Sequence, residues 1–422
     1  MRREPSQANN NCRACRIHAD RSHAVFKTQL LFLIAIICSG FPLLSNSLVA
    51  QKTPSDLKPV RSIPTIDKYA PKSMLKVDNS RLPKASLPVI DIHGHFGTRL
   101  RGDDDALRRY VEVMDRNNIV LSTTLDATLG KEDSHLSFIK PFENRFLVFC
   151  HMDFVGAGKR KDPSTYACNK PGFVRNTCQQ IRIAKSKGIV GLKFFKQFGL
   201  GYRNSDGSLI RIDDQRFDPI WETCAELDFP VLMHTADPAA FFEPVNEQNE
   251  RYEELLRHPN WSFFGDQFPS RQQLLNARNL VIKRHPNTKF IGAHMGNNPE
   301  DLTEVGNWLD QYPNLYVEFS SRIGELGRQP YTARKFFLKY ADRILFGTDG
   351  PWPEERLRYY WRFLETEDEY FRYSEKTPQP QGLWFIYGLR LPRDVLQKVY
   401  FENAFKLVPS AKKKYDKLRS AR

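Results

Sequence analysis

Two histidines, His93 and His95 in Val89-Ile-Asp-Ile-His-Gly-His95, open the case that this chain carries chemistry. Val89, Ile90 and Ile92 read as a short buried strand, whose period of two aims both imidazoles the same way, with Gly94 leaving room between them. Two neutral imidazoles converging at a strand end supply the first two ligands of a divalent metal and leave other positions to be filled from elsewhere in the chain. The competing reading is a strand end with two polar residues facing water, because His-x-His also arises by chance.

Three further residues fall at equivalent places. His234 ends Val-Leu-Met-His-Thr, His294 ends Ile-Gly-Ala-His before Met-Gly, and Asp349 closes Ile-Leu-Phe-Gly-Thr-Asp. Any one of them alone is a satisfied structural polar group. Five metal-compatible residues at four strand ends, in a chain with 10 histidines, argue for a single metal site.

The elements that must position them alternate along the chain. Helical spacing of apolar residues marks Asp103 to Asn117, Val174 to Lys187, Phe217 to Leu227, Leu302 to Leu309 and Thr332 to Tyr340. Ser270 with Gln273 three residues on predicts a capped helix running to Arg284. Strand-like runs are Val89 to Ile92, Ile119 to Leu125, Phe146 to Met152, Ile189 to Phe194, Pro230 to Met233, Phe290 to Ala293, Leu315 to Phe319 and Ile344 to Phe346. Eight strands, each but the last followed by a helix-like segment, imply an all-parallel sheet closed into a (β/α)8 TIM-like barrel. An open doubly wound sheet would show a Gly-rich phosphate turn after a strand, and none is found, which leaves no organic cofactor site to assign. In a barrel the carboxyl ends of the strands meet at one face, where the five residues would converge.

These pieces resemble the amidohydrolase superfamily, in particular its amidohydrolase-related branch, which includes aminocarboxymuconate semialdehyde decarboxylase. The resemblance runs over about residues 88–408 and rests on Asp91-Ile-His-Gly-His95, Gly191-Leu-Lys193, Pro230-Val-Leu-Met-His-Thr235, His294-Met-Gly296, Gly347-Thr-Asp349 and Tyr400-Phe-Glu-Asn-Ala-Phe-Lys-Leu407. It implies a metallo-dependent hydrolase fold and a metal held by His93, His95, His234 and Asp349, with His294 beside it as a polariser or proton carrier. One zinc per chain is the expected cofactor.

A bound divalent cation lowers the pKa of its water from about 16 toward about 7 and polarises a substrate oxygen. Asp349 would take the water's proton and pass it on, and His294 would donate a hydrogen bond where oxyanion charge develops. Lys193, at a strand end, would pair with a substrate acid, carry a carboxylate bridging a second metal, or be structural. Arg322 and Ser320 are candidates for a substrate carboxylate, with a salt-bridged arginine as the alternative. The inserted loops Ala236 to Phe268 and Pro351 to Gly382 are placed to cover the mouth. Hydrolysis of a small organic substrate is the leading expectation. A non-oxidative decarboxylase using the same metal set is the first rival, and a barrel that only binds a ligand the second.

The composition frames this site. With 422 residues, 41% hydrophobic, the chain can bury a large core. Residues 1–50 read as a signal peptide, with Arg2, Arg3, Arg13, Arg16, Arg21 and Lys27 ahead of the apolar run Leu30 to Leu44, which is shorter than the roughly 20 residues of a spanning helix. Cleavage after Ala50 predicts a periplasmic or extracellular protein with no stable membrane insertion, and an uncleaved anchor is the alternative. Residues 51–87 form an N-terminal arm, 88–408 the barrel and 409–422 a basic C-terminal tail. The net charge of +14 draws partly on that tail, which reads as a solvated charge run, and no nucleic-acid motif accompanies it. A small-molecule substrate is the expected partner, and homo-oligomerisation is left open. Cys168 and Cys178 are spaced to pair across a loop or to remain free thiols.

Overall fold

Apolar runs bounded by Gly, Pro and polar residues fold into eight strands: β1 Val89–Asp91, β2 Ile119–Thr128, β3 Phe146–His151, β4 Gly191–Phe194, β5 Val231–Met233, β6 Phe290–Gly292, β7 Leu315–Glu318 and β8 Ile344–Leu345. All neighbours pair parallel in the order β1 to β8. The ring closes where the chain beyond β8 returns to β1: the Ile92 N–H donates to Phe346 O at 3.0 Å, the Asp349 N–H to His93 O at 2.8 Å, and Gly94 bridges Gly350. The expected α/β barrel of eight parallel strands is therefore what forms. This computed structural model describes Thr65, Lys68, Tyr69 and residues 71–420 apart from Arg101. The predicted signal peptide and part of the predicted arm, mainly residues 51–64, lie outside the described residues.

The wall helices are α1 Asp104–Arg116, α2 Phe173–Ser186, α3 Asp218–Glu226, α4 Arg271–Arg284, α5 Leu302–Gln311, α6 Pro330–Lys339 and α7 Glu354–Glu365. Their starts follow the sequence signals. Asp103 caps α1 by accepting the Ala106 N–H, and Ser270 with Gln273 forms the expected capping box on α4. Leu107, Tyr110, Val111 and Met114 put one face of α1 against the sheet. Each large apolar side chain buried in this way contributes about 1.5–3 kcal/mol.

A second cluster fills the barrel's interior below the site. Leu147 and Phe149 of β3, Leu232 of β5, Ile291 of β6 and Leu345 of β8 meet there. Gly191 makes space for the Phe149 ring, since a Cβ at that position would lie 2.2 Å from it. Strand periodicity then carries the next inward positions, Lys193 on β4 and His234 after β5, to the carboxyl-terminal mouth.

The basic C-terminal run differs from its expectation as a solvated tail. Pro409–Ser420 is a helix, α8, with Leu407, Val408 and Ala411 buried against the interior cluster. The Lys414 ammonium donates to the Glu143 and Phe146 carbonyls, both at 2.6 Å, so one charge of the run is spent holding the helix to the barrel's lower rim. Near the start of the described chain, Ser80 donates from its N–H and its hydroxyl to Asp368, and the Ser86 N–H donates to Glu365. Cys150, Cys168, Cys178 and Cys224 are all free, so Cys168 and Cys178 do not pair. Among the described residues no helix is long and apolar enough to cross a membrane.

Candidate metal centre

Ligand atoms of His93, His95 and Asp349 lie within 4.8 Å of one another at the barrel mouth. Asp349 Oδ1 is 3.9 Å from His93 Nε2 and 3.5 Å from His95 Nε2. The opposite ring nitrogens face carboxylates: His93 Nδ1 donates to Glu318 Oε1 at 2.8 Å, and His95 Nδ1 donates to Asp126 Oδ1 at 2.5 Å. An ionised carboxylate only accepts, so the proton of each neutral ring sits on Nδ1 and the lone pair on Nε2 points at the common centre. Burial holds His93 well below its ordinary pKa and so keeps the ring neutral, as a ligand must be.

The supporting carboxylates are themselves saturated. Glu318 also accepts the His294 and Ser320 backbone N–H groups at 2.8 and 2.6 Å. Burial pushes its pKa up, and those two N–H groups act against the rise. A Cβ at Gly347 would lie 2.5 Å from Glu318 Oε2 and 3.0 Å from His93 Cβ, so glycine is required for the pair to meet. Asp126 also accepts the Thr98 N–H at 2.8 Å. Asp91 accepts the backbone N–H groups of His93 and Thr348, both at 3.1 Å, and ties β1 to the segment that carries Asp349.

The backbone is strained where these side chains converge. His294 (φ 55°), Ser321 (φ 55°) and Asp349 (φ 63°) all occupy the left-handed region after β6, β7 and β8. For non-glycine residues that costs about 1–3 kcal/mol each, and such strain concentrates at functional sites. Burial raises the Asp349 pKa, but the positive charge around it, with Arg99 and Lys193 the nearby cations, outweighs burial and leaves the carboxyl below its ordinary range, hence ionised. The Ser321 hydroxyl donates to Asp349 Oδ2 at 3.1 Å.

Of the two parts expected of His294, the hydrogen-bond donor does not fit its ring. Burial, with His234 next in effect, holds its pKa well below the ordinary value. Its Nδ1 donates to the Ser320 carbonyl at 2.8 Å, so Nε2 of the neutral ring is an acceptor, not the hydrogen-bond donor the sequence suggests. His234 packs on His294 with ring centroids 4.5 Å apart. Its Nε2 donates to Asp237 Oδ1 at 3.2 Å, and it belongs neither to the His93, His95 and Asp349 group nor to a second convergence of His93, His294 and Glu318. Asp237 is paired in turn with Lys196.

Lys193 is fully buried and its Nζ has no hydrogen-bond partner. Burial pushes its pKa down to about 8, against the pull of Glu318, Asp349 and Asp126. The Ser320 hydroxyl lies 3.0 Å from Nδ1 of both His93 and His294. Arg322 lines a cavity of about 180 Å³ together with His234, His294 and Asp349. Asp237, Phe241 and Trp261 from the first inserted loop and Gln381 from the second also line it.

The donor chemistry fits a divalent cation. Two imidazoles and a carboxylate present lone pairs to one point, and His93 Nε2 is a buried acceptor with no protein partner. Sequence reasoning passed over Asp126 and Asp237. The available signal was a lone acid in the apolar run Thr124-Leu-Asp-Ala127, since a buried carboxylate must be paired.

Fold and donor set together define a metal-dependent enzyme built on an α/β barrel. The chain belongs to the amidohydrolase family, whose model matches residues 165–409, more than half its length. Among solved structures it is similar to an uncharacterised TIM-barrel protein from Bordetella bronchiseptica, at 16% identity over 77% of this chain and 99% of that one, with a TM-score of 0.46. It is also similar to 2,6-dihydroxybenzoate decarboxylase from Rhizobium (17% identity, 77% and 98% coverage, TM-score 0.43). A third is a dihydroxybenzoic acid decarboxylase from Polaromonas sp. with bound manganese (18%, 77% and 96%, 0.43). No curated protein matches the chain.

Proposed function

We propose that this protein is a metal-dependent carbon–carbon lyase that removes carbon dioxide, without oxidation, from a small carboxylic acid. The observation that carries the reading is Lys193, a buried cation with no hydrogen-bond partner beside the donor set. A buried ammonium without a partner is costly, and a substrate carboxylate supplies both an acceptor and a countercharge, whereas a neutral ester or amide supplies only the acceptor. This reverses the order read from the sequence, which put hydrolysis first.

In this reading His93, His95 and Asp349 hold one divalent cation, with zinc as the expected ion, and His234 completes the set. The cation, when bound, supplies Lewis acidity that draws in substrate oxygens and stabilises negative charge at the reacting centre. Lys193 and Arg322 orient the acid. The carbon–carbon bond breaks with its electron pair left on the substrate carbon, carbon dioxide departs, and that carbon takes a proton. Asp349, held ionised by its neighbours, accepts a proton from an acidic group of the substrate and hands it to that carbon. Phe241 and Trp261 supply apolar wall and restrict water. Export after removal of residues 1–50 completes the proposal and rests on the sequence alone.

The test is a screen of the metal-replete protein for carbon dioxide release from aromatic and unsaturated carboxylic acids, run beside ester, amide and lactone panels. Release from at least one acid with inert panels is expected. Turnover of the panels without carbon dioxide would return the assignment to hydrolysis.

A further inference from the structure

Arg99 and Arg356 both lie over the indole of Trp352, their guanidinium carbons 4.5 and 3.4 Å from the ring centroid. The indole is fixed, because Trp352 Nε1 donates to the Thr348 carbonyl at 2.7 Å, immediately before Asp349. Arg99 donates to the Asp349 carbonyl at 2.6 Å and approaches Asp349 Oδ1 at 3.7 Å. The Arg356 guanidinium, partly buried at the start of α7, makes no hydrogen bond or ion pair with any described residue. Around it stand Tyr360, Tyr373 and Asp349, with Arg99 as a repelling like charge.

The charges here do not balance. Two guanidinium groups stack on one indole, and the carboxylate acting most strongly on Arg356 is Asp349, which the donor set claims. A stack that only joined the short helix Phe96–Leu100 to α7 would need one cation. Holding two in each other's field, partly out of water, is repaid when an anion binds beside them. Guanidinium is the group whose planar fork matches a carboxylate.

We propose that Arg99 and Arg356, held on Trp352, form an anion subsite that takes the second carboxylate of a dicarboxylate substrate whose reacting carboxylate lies at the donor set. This rests on the carboxylate-substrate reading above and narrows it to acids carrying two anionic ends.

Binding, not turnover, tests it. Calorimetric titration of the metal-loaded full chain with succinate, glutarate, adipate and benzene-1,3-dicarboxylate is compared with butyrate, valerate, hexanoate and benzoate. At least one dicarboxylate binds at least about tenfold tighter than its monocarboxylate counterpart. That preference collapses in Arg356→Met, which keeps an apolar stem over Trp352, and in Arg99→Gln, each checked for wild-type melting and metal content. Arg358→Gln, which removes an exposed arginine paired with Glu354, retains it. No dicarboxylate preference in the wild type, or the same preference in Arg356→Met, overturns the proposal. If Arg356→Met fails to fold, Arg356→Lys is the deciding variant: it keeps the charge but not the fork, and an undiminished preference there also overturns it. Because no turnover is required, the subsite stands or falls separately from decarboxylation.

Discussion

Nδ1 of His93 sits 2.8 Å from Oε1 of Glu318, with both side chains sealed from solvent. That contact fixes which ring nitrogen faces Asp349, so a residue on β7 determines the ligand geometry of a residue after β1. Glu318 accepts three N–H groups through two oxygens, and an amide cannot reproduce this. In Glu318→Gln the new NH2 meets the N–H of Ser320 or that of His93. Metal affinity should fall roughly 10- to 100-fold, and the metal-free protein should lose about 1–3 kcal/mol. Chelator competition and thermal melting measure the two effects, and unchanged values in both would show the contact to be incidental.

The donor set predicts unequal effects within itself. His93→Ala and His95→Ala each delete a converging nitrogen and should abolish stoichiometric metal on elemental analysis, with activity going with it. Asp349→Asn keeps one oxygen for the metal but cannot move a proton, so it should retain metal while losing at least about 100-fold in rate. His234→Ala is the informative variant, since His234 donates to Asp237 in this arrangement. Loss of metal there places His234 in the set, and full retention removes it.

Gly347 marks the tightest packing of the centre. A methyl group at this position would sit 2.5 Å from Glu318 Oε2 and 3.0 Å from His93 Cβ. Gly347→Ala should therefore push the pair apart, costing about 1–3 kcal/mol as overpacking and weakening metal binding at the same time. A variant with wild-type melting and metal affinity would mean that the β7–β8 edge yields more readily than this geometry allows.

The barrel and its mouth were legible because their signals are local. Period-two apolar runs, caps such as Ser270 with Gln273, and polar residues at strand ends each lie within a few positions in the sequence. The interactions that orient the ligands are not local. His95 meets Asp126 across 31 residues and His93 meets Glu318 across 225, and no spacing rule links such pairs. The tautomer of His294 was hidden for the same reason, being set by the Ser320 carbonyl 26 residues away. The C-terminal run was misread because its charge dominates its composition. Ala411 and the Lys414 stem face the barrel while the other lysines face water.

That helix gives a stability prediction remote from the chemistry. Leu407 is fully buried beneath the barrel interior, just before α8. Leu407→Ala should cost about 2–5 kcal/mol and lower the melting temperature while leaving metal stoichiometry intact in the folded protein. Deleting residues 409–422 should destabilise as well, because Ala411 and the two Lys414 hydrogen bonds go together. A truncated protein that melts with the full chain would restore the reading of this segment as a solvated tail.

Lys193 supplies the pH dependence. Burial lowers its folded-state pKa from 10.5 to about 8, so between those values the unfolded chain binds more protons than the native one. Stability then rises with pH through that window, and the charged amine is a net cost below about pH 8. One proton carries about 1.4 kcal/mol for each pH unit of the window, so the cost is on the order of 3 kcal/mol in the metal-free protein. Lys193→Met fills similar volume without the charge and should melt higher than wild type at pH 7. The gap should narrow as pH is raised from 8 to 10, because the wild type then sheds the same charge. On substrate the order reverses: the methionine variant should keep one metal per chain yet bind carboxylic acids at least about tenfold more weakly, having lost the cation that receives them. A variant less stable than wild type at pH 7, with unchanged affinity for carboxylates, would mean that Glu318 and Asp349 already satisfy Lys193 and that the lysine is structural.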